Sequence, residues 1–139
     1  FVSMSPTYPT LEYEELRELL ETIAQCNPTV VFNEPINPRA GNFEMCVQAA
    51  REAGELELAN ELESLQNIDQ WVDYAVAHFR SVQEIGKELN LPIHLWPDKE
   101  LVKRTEPPVS DWLQDWRERQ SPEEFGGRNT PDTSMPELP

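Results

Sequence analysis

Glycine is scarce in this chain and is not clustered where chemistry would use it. Of five glycines only Gly126 and Gly127 are adjacent, so no glycine-rich loop is available to cradle a phosphate. Cysteine is scarcer still, with Cys26 and Cys46 alone. Two thiols make no disulfide framework, and no Cys-x-x-Cys or His-Glu-x-x-His spacing exists to hold zinc. Each cysteine falls within or at the edge of a helical apolar pattern, which predicts buried or half-buried thiols in a reducing, cytoplasmic setting. A Gly-x-Ser-x-Gly elbow is also missing. No apolar run approaches the ~18–20 residues that a membrane-spanning helix needs. The start, Phe1-Val2-Ser3-Met4, offers neither the basic region nor the long apolar stretch of a signal peptide. Beginning at Phe1 rather than Met fits either residues added ahead of Met4 or a piece of a longer chain.

Bases are the other shortage: 11 against 26 acids, for a net charge of −15. Phosphate backbones and anionic lipid surfaces repel such a chain, which argues against direct nucleic-acid or membrane-surface binding. The charge is uneven. Residues 1–66 carry 12 acids and three bases, whereas 91–120 carry six acids and five bases. The acid therefore belongs mainly to the first helical regions.

What is present is helical periodicity. Leu16, Leu19, Leu20 and Ile23 share one face of a helix running to about Gln25, and Asn27-Pro28 ends it. Thr29-Val30-Val31-Phe32 is a short β-type run. Asn42 starts a second helix with Phe43, Val47 and Ala50 inward, and Gly54 turns the chain into another stripe of Leu58, Ala59, Leu62 and Leu65. From 68 to 89 the apolar positions Ile68, Val72, Ala75, Phe79, Val82, Gly86 and Leu89 alternate four and three apart. Trp71, Tyr74, His78 and Ile85 form a second, partial stripe, the mark of a central helix. Leu91–Pro97 is extended and apolar. Short helices follow over 98–104 and 111–119, the latter with Trp112, Leu113 and Trp116 on one side. Beyond Ser121 the composition of Pro, Gly, Ser, Thr and acid buries too little apolar area to offset ordering entropy.

These features predict an all-α fold: an irregular small helical bundle of about five helices with one short extended segment. The expected divisions are a flexible N-terminal arm (1–10), a single acidic helical domain (11–119) and a disordered acidic, proline-containing tail (120–139).

Candidate chemistry is sparse. His78 lies on an aromatic helix face and His94 in the segment Leu-Pro-Ile-His-Leu-Trp-Pro, and packing accounts for both. They would join a carboxylate in a metal site only if the fold brought them together. Twenty of the 26 acids are Glu, mostly on helices, which suits solvated faces better than an Asp-rich calcium loop. No spacing selects a paired general acid and base. The expectation is therefore no catalytic residue, no cofactor and no metal. Instead we expect a non-enzymatic adaptor or regulatory protein whose partner is a protein with a basic surface. Its expected binding residues are Glu14, Glu18 and Glu21 on the first helix, Glu57 and Glu61 further on, and the Trp112, Leu113 and Trp116 patch, where aromatic anchors would supply apolar contact unless that helix folds back and caps the core. The alternatives are an acidic nucleic-acid mimic that inhibits a DNA- or RNA-binding protein, and a non-EF-hand calcium- or metal-binding protein.

Overall fold

Three short strands, paired in parallel, overturn the all-α expectation. The computed structural model describes residues 1–39, 41–119 and 135–139. Its elements are β1 (Val2–Thr7), α1 (Tyr13–Gln25), β2 (Val31–Pro35), α2 (Asn42–Glu52), α3 (Leu56–Ser64), α4 (Ile68–Glu88), β3 (Ile93–Leu95), α5 (Lys99–Arg104) and α6 (Val109–Arg119). The strand order is β1-β2-β3, with Val2 opposite Val31 and Val31 opposite Ile93. The molecule is thus a helix-dominated α/β fold. The stretch 1–10, expected as a loose arm, supplies the first strand. Its Val-Ser-Met-Ser-Pro-Thr sequence has little β-branched character, so its strand identity comes from pairing with β2.

Both connections between paired strands are crossovers, β1–α1–β2 and β2–α2–α3–α4–β3. In the packed molecule α1 lies on α4, and α4 lies on β2 and β3. Among the described residues the strand order does not reverse, so they form no switch-point crevice of the kind at which open α/β folds usually hold ligands. The core lies between the sheet and these helices. Leu16, Leu20 and Ile23 of α1 meet Phe79, Val82 and Ile85 of α4 and Val31 of β2 in one cluster. Full burial of a Leu, Ile or Phe stabilises by about 1.5–3 kcal/mol relative to exposure.

The second stripe of α4 now has a physical explanation. Trp71 donates its Nε1–H to the Ile36 carbonyl at 3.0 Å, and the Tyr74 hydroxyl donates to the Thr7 carbonyl at 2.8 Å. His78 Nε2 lies 2.8 Å from Thr7 Oγ1. Each side chain buries an apolar body and spends its polar tip on the chain where it leaves β1 or β2. Gly86 is where α4 meets β3: a Cβ there would stand 2.4 Å from Ile93 Cγ1. The turn foreseen at Gly54 separates α2 from α3, with φ at +83°, a conformation that favours glycine.

Part of the C-terminal segment is described, and only that part bears on the expected tail. Residues 120–134 of the predicted disordered tail lie outside the described residues. Met135 and Leu138 are buried against the core, so the last five residues do not follow that expectation.

Candidate functional site

The strand at the edge of the sheet borders an open groove. Among the described residues β1 pairs with β2 on one side only, and an edge strand presents unpaired backbone groups that another chain can join. Beside it runs a groove of about 590 Å³ between β1 and α1, lined by Ser3, Ser5, Tyr8, Leu11, Leu19 and Ile23 with Glu15 at its rim. Leu19 is 37 % exposed despite the apolar character that suggested a core position.

Next to this groove the carboxylates of α1 divide by use. Glu15 Oε2 accepts the Glu12 N–H at 3.0 Å and so caps the helix. Glu21 stands 4.0 Å from Arg17, which also pairs with Glu88 at 2.5 Å. Glu14 and Glu18 are exposed and take part in no ion pair among the described residues. The α2–α3 hairpin repeats the division. Glu44 receives the Gly41 N–H at 2.6 Å and Glu63 pairs with Arg51 at 2.5 Å, while Glu57 and Glu61 are exposed and unpaired among the described residues. Leu56, which begins α3, is 62 % exposed beside Glu57. The two rows sit on different helix pairs, since α3 packs on α2 and α1 on α4.

The remaining three predicted binding residues lie inside the molecule. Trp112, Leu113 and Trp116 are at most 6 % exposed. The indoles stack with centroids 5.1 Å apart. Trp116 donates to the Leu95 carbonyl at 2.9 Å and Trp112 to the Pro136 carbonyl at 2.8 Å. Folding back in this way satisfies both N–H groups and removes apolar surface that would be a liability in water.

The histidines are not brought together. His78 belongs to α4, on the helix side of the sheet. Ile93 meets α4, so by strand alternation its neighbour His94 points to the opposite face. There it packs 5.0 Å from Phe32 and 5.4 Å from Trp96, with no hydrogen-bond partner on either ring nitrogen. Burial lowers the pKa of both, that of His78 to about 4, so both are neutral at pH 7. Tyr74, beside His78, is pushed up to about 12 by burial, against the opposing effect of its hydrogen bond to Thr7. Among the described residues, no three His, Cys, Asp or Glu side chains form a group that would hold a metal ion.

A cluster that sequence reasoning did not find joins the loops after β2 and β3. Asp98 accepts from Asn37 at 2.7 Å and Arg39 at 2.6 Å, and its other oxygen caps α5 through the Glu100 N–H at 2.8 Å. Burial works to raise the Asp98 pKa, but these donors hold it below the usual range. Two neighbouring cations are engaged elsewhere: Lys103 pairs with Glu100 at 2.5 Å, and Arg117 bonds the Pro97 carbonyl. The arrangement ties two loops together. The only sequence signal for it was the turn-rich Asn37-Pro38-Arg39, which says nothing of a partner about sixty residues on.

No family model, curated protein or solved structure matches this chain. No helix among the described residues is long and apolar enough to cross a membrane.

Proposed function

We propose that this chain is a non-enzymatic protein-binding module that receives a partner with a basic surface on its acidic α1 and α3 faces, with the open β1–α1 groove supplying apolar contact. The observation that carries this reading is the division of the carboxylates. Glu12–Glu15 and Arg17–Glu21 contacts serve the fold, whereas Glu14, Glu18, Glu57 and Glu61 face solvent beside exposed Leu19 and Leu56. Surplus negative charge next to apolar side chains favours fast encounter with a cationic partner and gives it surface to bury. The apolar contribution is assigned to Leu19 and Leu56 because Trp112, Leu113 and Trp116 are buried.

The test compares wild type with E14Q/E18Q/E57Q/E61Q in pull-downs from the native source. The Debye length is about 10 Å at 0.1 M salt and about 3 Å at 1 M. The expected partner is retained by wild type at the lower salt, lost at the higher, and not retained by the variant at either. A partner held equally well by the variant ends this reading. Displacement of the partner by duplex DNA at constant ionic strength would favour the nucleic-acid mimic instead.

A further inference from the structure

The last five described residues occupy a seat that is built like a ligand site. Met135-Pro136-Glu137-Leu138-Pro139 lies across α4 and α6. Gln83 clasps the backbone from both directions: its Oε1 accepts the Leu138 N–H at 2.7 Å, and its Nε2 donates to the Pro136 carbonyl at 3.3 Å. Trp112 donates to that same carbonyl at 2.8 Å, and Arg80 Nε donates to the Pro139 carbonyl at 2.9 Å. Lys87 pairs with Glu137. Arg80, Gln83 and Lys87 are spaced three and four apart, so one face of α4 runs along the segment. Met135 and Leu138 are the two buried side chains. Pro136 and Pro139 carry no N–H that would need a partner.

This is a peptide-recognition pattern: main-chain bonds supply general affinity and side-chain pockets spaced along the segment supply choice. A cavity of about 520 Å³ adjoins the segment, lined by Gly86, Ile93, Leu95 and Trp116 together with Met135.

We propose that the α4–α6 groove is a peptide-binding site, occupied here by the chain's own Met135–Pro139, that takes a partner segment of the same chemistry. That segment is non-helical, has apolar residues three apart with an acid between them, and carries proline after each apolar or acidic-apolar step, as in Met-Pro-Glu-Leu-Pro. Lys87 selects the acid, and Arg80 holds the main-chain carbonyl one residue beyond the second apolar side chain. In sequence, fifteen residues separate Arg119 from Met135, and covalent linkage makes the resident segment an intramolecular competitor for the groove. The resident segment therefore excludes weak outside peptides and yields to a tighter or multivalent one. The site is formed by other elements than the β1–α1 groove and is independent of the reading given above.

The experiment measures fluorescence anisotropy of a labelled, end-blocked peptide of residues 133–139 against the full chain. The chain is tested as wild type and as M135D/L138D, which cannot seat its own segment. The variant is expected to bind the peptide at least about tenfold more tightly than wild type. Adding Q83A to the variant should weaken binding about three- to tenfold. A folded M135D/L138D chain with no saturable binding, or one indifferent to Q83A, overturns the proposal. Micromolar reciprocal dimerisation of wild type also overturns it, by assigning the groove to a second copy. Amide exchange in wild type keeps the test valid if the variant fails to fold. Leu138 should exchange through a local opening, with clearly less protection than Phe79 and Val82 in α4. Equal protection means the segment leaves only on global unfolding, and overturns the proposal.

Discussion

The α1–α3 region and the α4–α6 region treat their polar chemistry in opposite ways. In the first, carboxylates outnumber partners, and Glu14, Glu18, Glu57 and Glu61 stay exposed and unpaired among the described residues. In the second, Trp71, Tyr74, Trp112 and Trp116 each donate to a main-chain carbonyl, and Arg80, Gln83 and Lys87 hold the C-terminal segment. The aromatic half makes buried contacts and holds its own C-terminal segment, while the acidic half leaves these four carboxylates exposed. Substitutions in the two regions should therefore differ sharply in what they disturb.

The largest stability effect should come from Trp116→Ala. It removes a buried indole, its stack on Trp112 and its bond to Leu95, and large-to-small changes of this type cost about 3–5 kcal/mol. Urea unfolding followed by circular dichroism reads this directly. A loss below about 1 kcal/mol, the range of surface changes, would erase the contrast between the regions.

Next comes the pH dependence carried by His78. Its imidazole titrates near 6.5 when unfolded and at about 4 when buried. Above pH 6.5 both states are neutral and the contribution is fully present. Between 6.5 and 4 only the unfolded chain takes up the proton, so stability falls as pH falls, by about 3 kcal/mol in all. His94 is shifted in the same direction by burial. His78→Gln should flatten this acid limb, leaving the part due to His94. Parallel stability curves for wild type and variant would refute the assignment.

Gly86→Ala should cost about 1–2 kcal/mol. Helix propensity gains up to about 1 kcal/mol, but overpacking against Ile93 costs about 1–3 kcal/mol. In an Ile93→Ala background the penalty should largely vanish, which a double-mutant cycle measures. The smallest effect belongs to the acidic face. E14Q/E18Q/E57Q/E61Q should change unfolding stability by no more than about 0.5 kcal/mol, even as it abolishes partner capture. A strongly destabilised quadruple variant would mean these carboxylates hold the fold after all.

Much of the helical layout was legible. The alternation of Ile68 through Leu89 marks α4 almost to the residue, and the Leu16–Ile23 face marks α1. The Val31 run and the Leu91–Pro97 stretch were visible as extended pieces but not as neighbours. β1 was illegible, since serines and a proline hide it. The candidate site was half legible: the exposed glutamates follow from helical spacing, whereas the groove at Leu19 depends on β1 being an edge. The same apolar patch that read as a surface anchor, Trp112 to Trp116, reads equally well as core, because amphipathic spacing does not say what covers the face.

The sequence by itself determined the helices, their breaks and the placement of charge, because propensity, capping and 3.6-residue periodicity act over a few neighbouring residues. Only the tertiary structure decided the parallel sheet, the burial of Trp112 and Trp116, the Asn37–Arg39–Asp98 tie and the seat of Met135–Pro139. Each of these joins segments far apart in the chain, where the entropy of closing the intervening loop opposes contact and local propensity carries no sign of the partner.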